Sequence, residues 1–420
     1  MLMNRRVAVT GIGVRAPGGG NTKEFWELIS SGTSATRTIT QFDASRFRSQ
    51  IAAECDFDPV ADGLTPQQIR RMDRVAQLVV AATREALVDS GAADGLDPER
   101  TGVSVGSAIG STISLDREYN VLSDGGRKWL VDHEYAIPHL FSYLVPTSLA
   151  AEVAWVAGAE GPVAVISTGC TSGIESVAHA ARLIREGSAD VMIAGATDAP
   201  VTPITVACFD AIKATSPRND DPLHACRPFD LNRNGFVLGE GSAVLVLEEL
   251  ERARARGAHI YAELAGFGVR ANAHHMTGLR SEGHEMAAAI TSALAMAGRL
   301  PEDVDYVNAH GSGTKQNDRH ETDAFKRSLG SHAYRTPVSS IKSMIGHSLG
   351  AIGAIEIAAC ALALEYGVVP PTANLHEPDP ECDLDYVPLK AREAPLETVL
   401  TVGSGFGGFQ SAVVLTKGES

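Results

Sequence analysis

The sequence predicts an α/β protein built from two similar halves that share one core. Three observations support this fold class: apolar strand patterns alternate with helical ones, a long segment is repeated, and each half closes on a similar strand. The repeated segment is a strand, a tight glycine turn, an alanine-rich helix and a C-terminal glycine. The matching pairs are VAVTGIGV (7–14) with YAELAGFGV (261–269), residues 162–187 with 337–367, and GSAVLVLEE (241–249) with FQSAVVLTK (409–417).

A charged helical segment, ELERARARGAH (249–259), connects the halves and predicts domain bounds at 1–252 and 253–420. Small residues dominate the helix after each glycine turn, so we expect the two helices to pack together at the centre. Residues 107–150 belong to neither half and carry five aromatic side chains. This excursion is either a surface segment with a small core of its own, or a dimer contact or apolar cavity wall.

The composition of the chain argues against several classes of function. The chain has 420 residues, 44% of them hydrophobic, and a formal charge of −15, which argues against nucleic-acid binding. The start shows no secretory signal, and we expect no apolar run to reach the roughly 18 residues that a membrane span needs. Six scattered cysteines, without zinc spacing, indicate a reduced cytoplasmic protein with no metal and no membrane.

Cys170 lies where an apolar strand ends and a helix begins, between Gly169 and Gly173. A helix N-terminus favours a thiolate, the reactive form of cysteine, and the N–H group of Cys170 itself can stabilise an oxyanion. A free cysteine is more often a small buried hydrophobe, an interpretation that suits the other five. The glycine-flanked setting predicts that Cys170 is a nucleophile.

Two histidines occupy comparable positions. His347 stands in the turn of the second half, where the first half has its cysteine, and His310 follows another strand into a Gly-Ser-Gly loop. A helix N-terminus favours neutral imidazole, which can donate an N–H group to a carbonyl oxygen. A single histidine is usually structural, but two at strand-to-glycine junctions in a chain with Cys170 predict a shared site.

A competing motif is GHSLG (346–350), which fits the G-x-S-x-G elbow of serine acyltransferases and would make Ser348 the nucleophile. That mechanism needs an acid and then a histidine further along the chain. The only later histidine is His376, and the acids between, Glu356 and Glu365, fall in the helix after the elbow. The serine alternative is therefore the weaker one.

The motifs STGCTSG, NAHGSGTKQND and KSMIGHSLGA together resemble the Cys-His-His site of the β-ketoacyl synthases, which have the thiolase fold. The segments RPFDLNRNGFVLGEGSAVLVLEELERARARGAHIYAEL and VGSGFGGFQSAVVL are closest to the ketosynthase alpha subunit of bacterial type II (aromatic) polyketide synthases. The resemblance covers essentially the whole chain. It implies a layered αβαβα core made of two duplicated halves.

The resemblance also implies a decarboxylative Claisen condensation. Cys170 would carry the acyl chain as a thioester, the N–H groups of Cys170 and Phe406 would form the oxyanion hole, and His310 and His347 would promote decarboxylation of malonyl-carrier protein. No cofactor of its own is implied; the substrate arrives on the phosphopantetheine arm of an acyl carrier protein. Further implied residues are Lys342 with its supporting acids Asp318 and Glu356, and Ser312 and Thr314, which would bind the phosphopantetheine arm.

Two partners are implied: the acyl carrier protein, and a chain-length factor (the ketosynthase beta subunit) that forms a heterodimer and would face residues 107–150. A homodimeric fatty-acid-type ketosynthase is the alternative. The basic run IRRMDR, with Arg70, Arg71 and Arg74, is a candidate docking patch for the carrier protein, although such a run is more often a solvated helix face.

Overall fold

A computed structural model describes residues 5–418 of the chain. The strands are β1 (Val7–Arg15), β2 (Arg37–Thr38), β3 (Ile51–Ala53), β4 (Thr101–Gly106), β5 (Val163–Ile166), β6 (Val191–Asp198), β7 (Leu238–Gly239), β8 (Gly241–Glu249), β9 (Ala262–Ala271), β10 (Tyr306–Asn308), β11 (Val338–Ser339), β12 (Val368–Val369), β13 (Arg392–Glu393), β14 (Thr398–Gly405) and β15 (Phe409–Lys417). The helices are α1 (Thr22–Ser31), α2 (Pro66–Arg71), α3 (Arg74–Ser90), α4 (Thr112–Leu122), α5 (Leu140–Leu144), α6 (Thr147–Ala157), α7 (Ser172–Arg185), α8 (Pro203–Ala211), α9 (Leu250–Ala255), α10 (His284–Ala297), α11 (Lys315–Leu329), α12 (Lys342–Ile345) and α13 (Ile352–Tyr366).

The main sheet has ten strands in the order β11-β10-β14-β15-β9-β1-β8-β6-β4-β5. Read outward from the middle, β1, β8, β6, β4 and β5 mirror β9, β15, β14, β10 and β11. A short antiparallel contact, Ala8 with Glu263 and Val9 with Ala262, joins the two sets. The mirrored order confirms the predicted α/β fold of two similar sets of strands, while the division at residues 252 and 253 stays a prediction.

Helices α7 and α13 lie at the centre, because each contacts strands of both sets. Their backbones almost touch: a Cβ atom at Gly173 would lie 2.5 Å from the nitrogen of Ala354, and one at Gly353 would lie 2.7 Å from the nitrogen of Ile174. Such separations leave no room for a side chain. The alanine and glycine content that predicted this pairing is therefore a consequence of close helix packing.

The segment Leu349–Tyr366 is 18 residues long with a mean hydropathy of 1.6, so the prediction that no apolar run reaches that length is wrong. It is, however, 89% buried within the fold. An apolar helix that is hydrophobic on every side and enclosed by two sets of strands is what the core of a large protein requires.

Two outer helices complete the layers. Helix α3 packs on β1, where Cβ atoms at Gly11 and Gly13 would lie 2.4 and 2.0 Å from carbonyl oxygens of that helix. Helix α10 packs on β9 in the same way, at Gly266 and Gly268, with 2.2 and 2.1 Å. The layers are an outer helix, one set of strands, the central helices, the other set of strands and an outer helix, as predicted. The glycines of the repeated strand motif are sites of close helix approach.

The excursion of residues 107–150 forms α4, α5 and the start of α6. Its aromatic side chains do not assemble a core: Trp129 is 96% exposed, and Tyr119, Tyr135 and Phe141 are also exposed. Tyr143 is the exception, being buried with its hydroxyl donating to the carbonyl of Arg70 (3.1 Å). The interpretation as a segment with its own core is wrong, and a contact surface is the interpretation that this exposure favours.

Candidate active site

Cys170 stands in the turn between β5 and α7. Gly169 has a φ of +63°, a conformation that glycine adopts without strain, and this lets the chain turn sharply from strand to helix. The N–H groups of Cys170 itself and of Phe406 both point at the sulfur. The loop that carries Phe406 comes close, since a Cβ at Gly405 would lie 3.4 Å from the Cys170 nitrogen. Two backbone donors thus converge on the nucleophile.

Burial raises the pKa of the Cys170 thiol to about 12, and the nearby positive charge of Lys342 opposes this only in part. Burial therefore outweighs the predicted effect of the helix N-terminus, which favours the thiolate. The physical reason is that the free-energy cost of removing a thiolate from water exceeds the stabilisation that the helix end and the two backbone N–H groups provide. At neutral pH the site holds a thiol, which must lose its proton to a base as it reacts.

His310 follows β10, and His347 lies between α12 and α13. Their rings meet edge to face, with centroids 5.2 Å apart and an interplanar angle of 84°. Burial first, and then the charge of Lys342, holds the pKa of both imidazoles well below the usual range. The structure therefore contains two neutral, buried histidines, as predicted for His347, but burial is the main cause and not the helix end. Phe236 packs edge to face on His347, with centroids 5.3 Å apart.

Lys342 is completely buried behind the histidines. Its Nζ donates to the carbonyl oxygen of His310 and to Glu356 Oε1, both at 2.5 Å. Burial raises the pKa of Glu356 to about 7 despite the lysine beside it. The predicted contact of Lys342 with Glu356 is present in the structure, but the one with Asp318 is wrong. Asp318 Oδ2 instead lies 3.1 Å from Nε of the buried Arg233.

Glu321 is a further residue of this site, which the sequence analysis missed. Its two carboxylate oxygens accept the N–H groups of His310 (2.5 Å) and Gly311 (2.7 Å), which fixes the backbone of the histidine loop. Burial raises the pKa of Glu321 to about 8. Asp318 holds the same loop further along, accepting from Gly313 (3.2 Å). Nothing in the local sequence marks Glu321, because a glutamate within a polar helix is usually exposed.

Cys170, Phe406 and the two histidines line one cavity of about 70 Å³. It widens into an outer opening of about 610 Å³. Ser312 and Thr314 lie on the wall, with their hydroxyl oxygens 3.0 Å apart. Ser348 is buried outside this lining, and its hydroxyl has no hydrogen-bond partner within residues 5–418. The geometry favours Cys170 over Ser348 as the nucleophile. The inner cavity is lined by Cys170, Phe209, Phe236, Thr277, Leu279, His310, Ser312, Thr314, Gln316, Asn317, His347, Leu349, Ser404, Gly405 and Phe406.

The basic run at Arg70 is largely engaged in the fold. Arg71 pairs with Glu152 (2.5 Å), and Arg74 pairs with the fully buried Glu240 (2.7 Å). Arg70 is exposed. Two of the three charges of the candidate docking patch are therefore neutralised within the chain.

Comparison with known proteins identifies the family. Residues 4–253 match the family described as Beta-ketoacyl synthase, N-terminal domain, and residues 261–376 match Beta-ketoacyl synthase, C-terminal domain. The chain belongs to the β-ketoacyl synthase family. Its resemblance to ketosynthase alpha subunits is confirmed by the tetracenomycin polyketide synthase ketoacyl synthase alpha subunit of Streptomyces glaucescens, which is 66% identical over 98% of this chain and 97% of its own.

Two solved structures are also similar. One is a type II polyketide synthase acyl-carrier protein in complex with its ketosynthase bound to the hexaketide, with a TM-score of 0.92, 37% identity and coverage of 99% of this chain and 100% of that one. The other is the ishigamide ketosynthase/chain length factor, with a TM-score of 0.91, 34% identity and coverage of 99% and 100%. These β-ketoacyl synthase structures confirm the fold.

Proposed function

We propose that this chain is the condensing subunit of a type II polyketide synthase, a β-ketoacyl-[acyl-carrier-protein] synthase that extends an acyl chain held on Cys170. One observation carries the proposal: a thiol, two converging backbone N–H groups and two neutral histidines share a single cavity. This set serves a reaction that needs a nucleophile, an oxyanion site and donors for a developing enolate.

Acylation comes first. The sulfur of Cys170 attacks the thioester carbonyl of the acyl-carrier protein, and its proton passes to a neutral imidazole, which the lowered histidine pKa values allow. The N–H groups of Cys170 and Phe406 stabilise the tetrahedral oxyanion. The bond to the carrier thiol then breaks, and that thiol takes the proton. The acyl chain remains as a thioester on Cys170.

Condensation follows when malonyl-carrier protein enters. The bond to its carboxylate breaks, carbon dioxide leaves, and the electron pair forms an enolate whose oxygen accepts N–H groups from His310 and His347. The enolate carbon attacks the acyl-Cys170 carbonyl, a carbon–carbon bond forms, and the bond to sulfur breaks. The cysteine thiolate takes up one proton from solvent. Lys342 supports this step by holding the His310 backbone and by keeping both imidazoles neutral.

The carrier protein is proposed to reach the site through the outer opening. Ser312 and Thr314 would hydrogen-bond the phosphopantetheine arm, since Ser312 lines the narrow cavity and Thr314 lines both that cavity and the outer opening. Lys213 and Lys315 lie at the rim of that opening, where they suit the arm's phosphate and an acidic carrier surface better than the engaged run at Arg70. The reaction so described uses no cofactor of its own.

The proposed second partner is a chain-length factor. Strand β5 is the last strand of the sheet and is half-exposed, and the exposed aromatics of residues 107–150 add a large apolar surface. A homologous subunit placed there would cover both features. We also propose that the chain consists of halves at 1–252 and 253–420 and that it works in the cytoplasm.

The test is intact-protein mass spectrometry after incubation with acyl- and malonyl-loaded carrier protein. The wild-type chain is compared with Cys170→Ala and with Cys208→Ala, a control at an exposed cysteine, each with and without a co-expressed beta subunit. An adduct lost only in Cys170→Ala, with extension only beside the partner, supports the proposal. An adduct that survives Cys170→Ala overturns it, and extension by this chain alone favours a homodimeric fatty-acid-type enzyme.

A further inference from the structure

Asp198 is a buried carboxylate that the proposed reaction does not use. It ends β6, is fully buried, and accepts hydrogen bonds from four neutral donors. These are the Ser107 hydroxyl (2.7 Å) and the N–H groups of Ala108 (2.9 Å), Ile109 (3.3 Å) and Gly350 (2.7 Å). Burial raises the pKa of Asp198 to about 6, and these donors oppose that effect. At neutral pH the group therefore remains mostly an anion.

The four donors come from two segments that are distant in the chain. Residues 107–109 lead from β4 into the excursion, whereas Gly350 follows the turn that carries His347. One oxygen, Oδ2, accepts from both Ala108 and Gly350. A Cβ atom at Gly350 would lie 2.5 Å from the Ala108 nitrogen and 2.6 Å from Asp198 Oδ2. The contact is thus so close that glycine is required there.

The turn between His347 and Gly350 is held in an unfavourable conformation. Leu349 has a φ of +48°, in the left-handed region that bulky residues avoid. Its side chain lines the Cys170 cavity. Such strain persists only where surrounding contacts determine the backbone, and the bond from Gly350 to Asp198 is one of those contacts.

We propose that Asp198 is a positioning residue of the Cys170 site, whose carboxylate holds the His347 turn against the start of the excursion. This inference rests on the proposed function, because it assigns the same site one more residue. It also means that the excursion, which is the proposed partner surface, and the histidine turn are held by one group. A displacement of either segment should therefore displace the other.

The charge of Asp198 gives the proposal a distinct signature. The charged and titratable groups that act on Cys170 or share its cavity are Lys342, Asp198, His310 and His347, and of these Asp198 is the group that raises the pKa of the thiol through its charge. Replacing the carboxylate by a neutral amide should therefore shift cysteine reactivity to lower pH. A purely structural residue would have no such effect.

The experiment compares wild type with Asp198→Asn and with the matched control Asp230→Asn. Asp230 is equally buried and accepts backbone N–H groups of Asn232, His376 and Glu377, but it is not one of the charged groups named above that act on Cys170. Two readouts are used, neither of which needs a carrier protein. The first is the pH profile of Cys170 alkylation by iodoacetamide, followed on its peptide, and the second is hydrogen exchange of the peptides around residues 107–109 and 347–350.

In Asp198→Asn, exchange should rise at least about tenfold in both peptides, since a hydrogen bond to a charged group is worth that much to a local opening equilibrium. The alkylation profile should move to lower pH, while Asp230→Asn changes neither readout. Faster exchange in one segment alone, or an unmoved alkylation profile, overturns the proposal.

If Asp198→Asn does not fold, the variant Ser107→Ala is used, because it removes a single donor. It should accelerate exchange in both segments to a smaller extent, and exchange at the wild-type rate in this variant overturns the proposal. Failure of wild-type condensation would overturn the proposed function and leave this test unaffected.

Discussion

The two outermost strands of the sheet occupy mirrored positions but have opposite surroundings. Strand β11, which leads to His347, is buried, and the N–H group of Val338 donates to the carbonyl of Asp385 in a covering loop (2.8 Å). Strand β5, which leads to Cys170, is half-exposed, and Val163 is 47% exposed. The same repeated unit is therefore closed by the chain itself on one side and left open on the other.

This difference separates two tasks of the site. The histidines and Lys342 belong to the closed side, where burial keeps the imidazoles neutral and the lysine paired. The nucleophile belongs to the open side, next to the edge strand and the exposed aromatics of residues 107–150. Electrostatic tuning comes from the side that the chain completes alone, whereas the surface proposed for a partner lies on the other.

The largest expected effect is on the closed side. Lys342→Met leaves Glu356 as an unpaired buried carboxylate, and breaking a buried pair in this way costs about 3–5 kcal/mol of the free energy of unfolding. Urea denaturation measures the loss. The double variant Lys342→Met with Glu356→Leu, which removes both charges, should regain most of it. A double variant as unstable as the single one would show that the pair matters for packing and not for charge.

A smaller effect concerns pH. Because the folded state holds the pKa of His347 well below that of the unfolded chain, the unfolded state binds more protons below about pH 6.5, and stability falls as the pH is lowered. His347→Gln should reduce this loss by up to about 1.4 kcal/mol per pH unit. Glu321 and Glu356, whose pKa values are raised, act in the opposite sense but equally in both proteins.

Urea denaturation of wild type and His347→Gln at neutral pH and at about pH 5.5 measures the difference. His274→Gln, at an exposed histidine, is the control and should keep the wild-type slope. Equal slopes in wild type and His347→Gln would mean that the buried imidazole is protonated in the folded state. The closed side would then lack the neutral histidines that the mechanism requires.

The smallest effect on the isolated chain is expected at the open edge. Val163→Lys places a charge on a half-exposed strand and should change the free energy of unfolding by no more than about 0.5 kcal/mol. It should nevertheless prevent co-purification with a co-expressed beta subunit. Val338→Lys, at the mirrored strand, buries a charge and should destabilise the chain itself. Equal destabilisation by both would contradict an open β5 edge.

The sequence predicts the two turns well because their determinants are local. Only a few positions of the sequence separate Gly169 and Cys170 from the start of the helix that follows them. The same is true of His347 and the start of α13. The repeat then indicates that the two helices meet, and the small residues show how closely. The ketosynthase motifs add His310, Phe406 and Lys342 on the same basis.

What the sequence does not predict depends on contacts between distant residues. Asp198 accepts from Gly350 across 152 positions, and no local pattern marks either one. Whether Lys342 pairs with Glu356 or with Asp318 depends on which helix packs against the lysine. The resting state of Cys170 is likewise decided by burial, which is a property of the whole fold, and not by the helix end that the motif reveals.

The place of β1 in the middle of the sheet has a consequence for biosynthesis. Strand β1 leaves the ribosome well before its neighbours in the sheet, which are β8, whose residues run from 241 to 249, and β9, which it contacts at residues 262 and 263. At roughly 5–20 residues per second, β1 waits on the order of ten seconds or more for its neighbours. During that time its apolar residues are available to chaperones or to the wrong strand, so yield in a foreign host should depend on translation speed and chaperone supply.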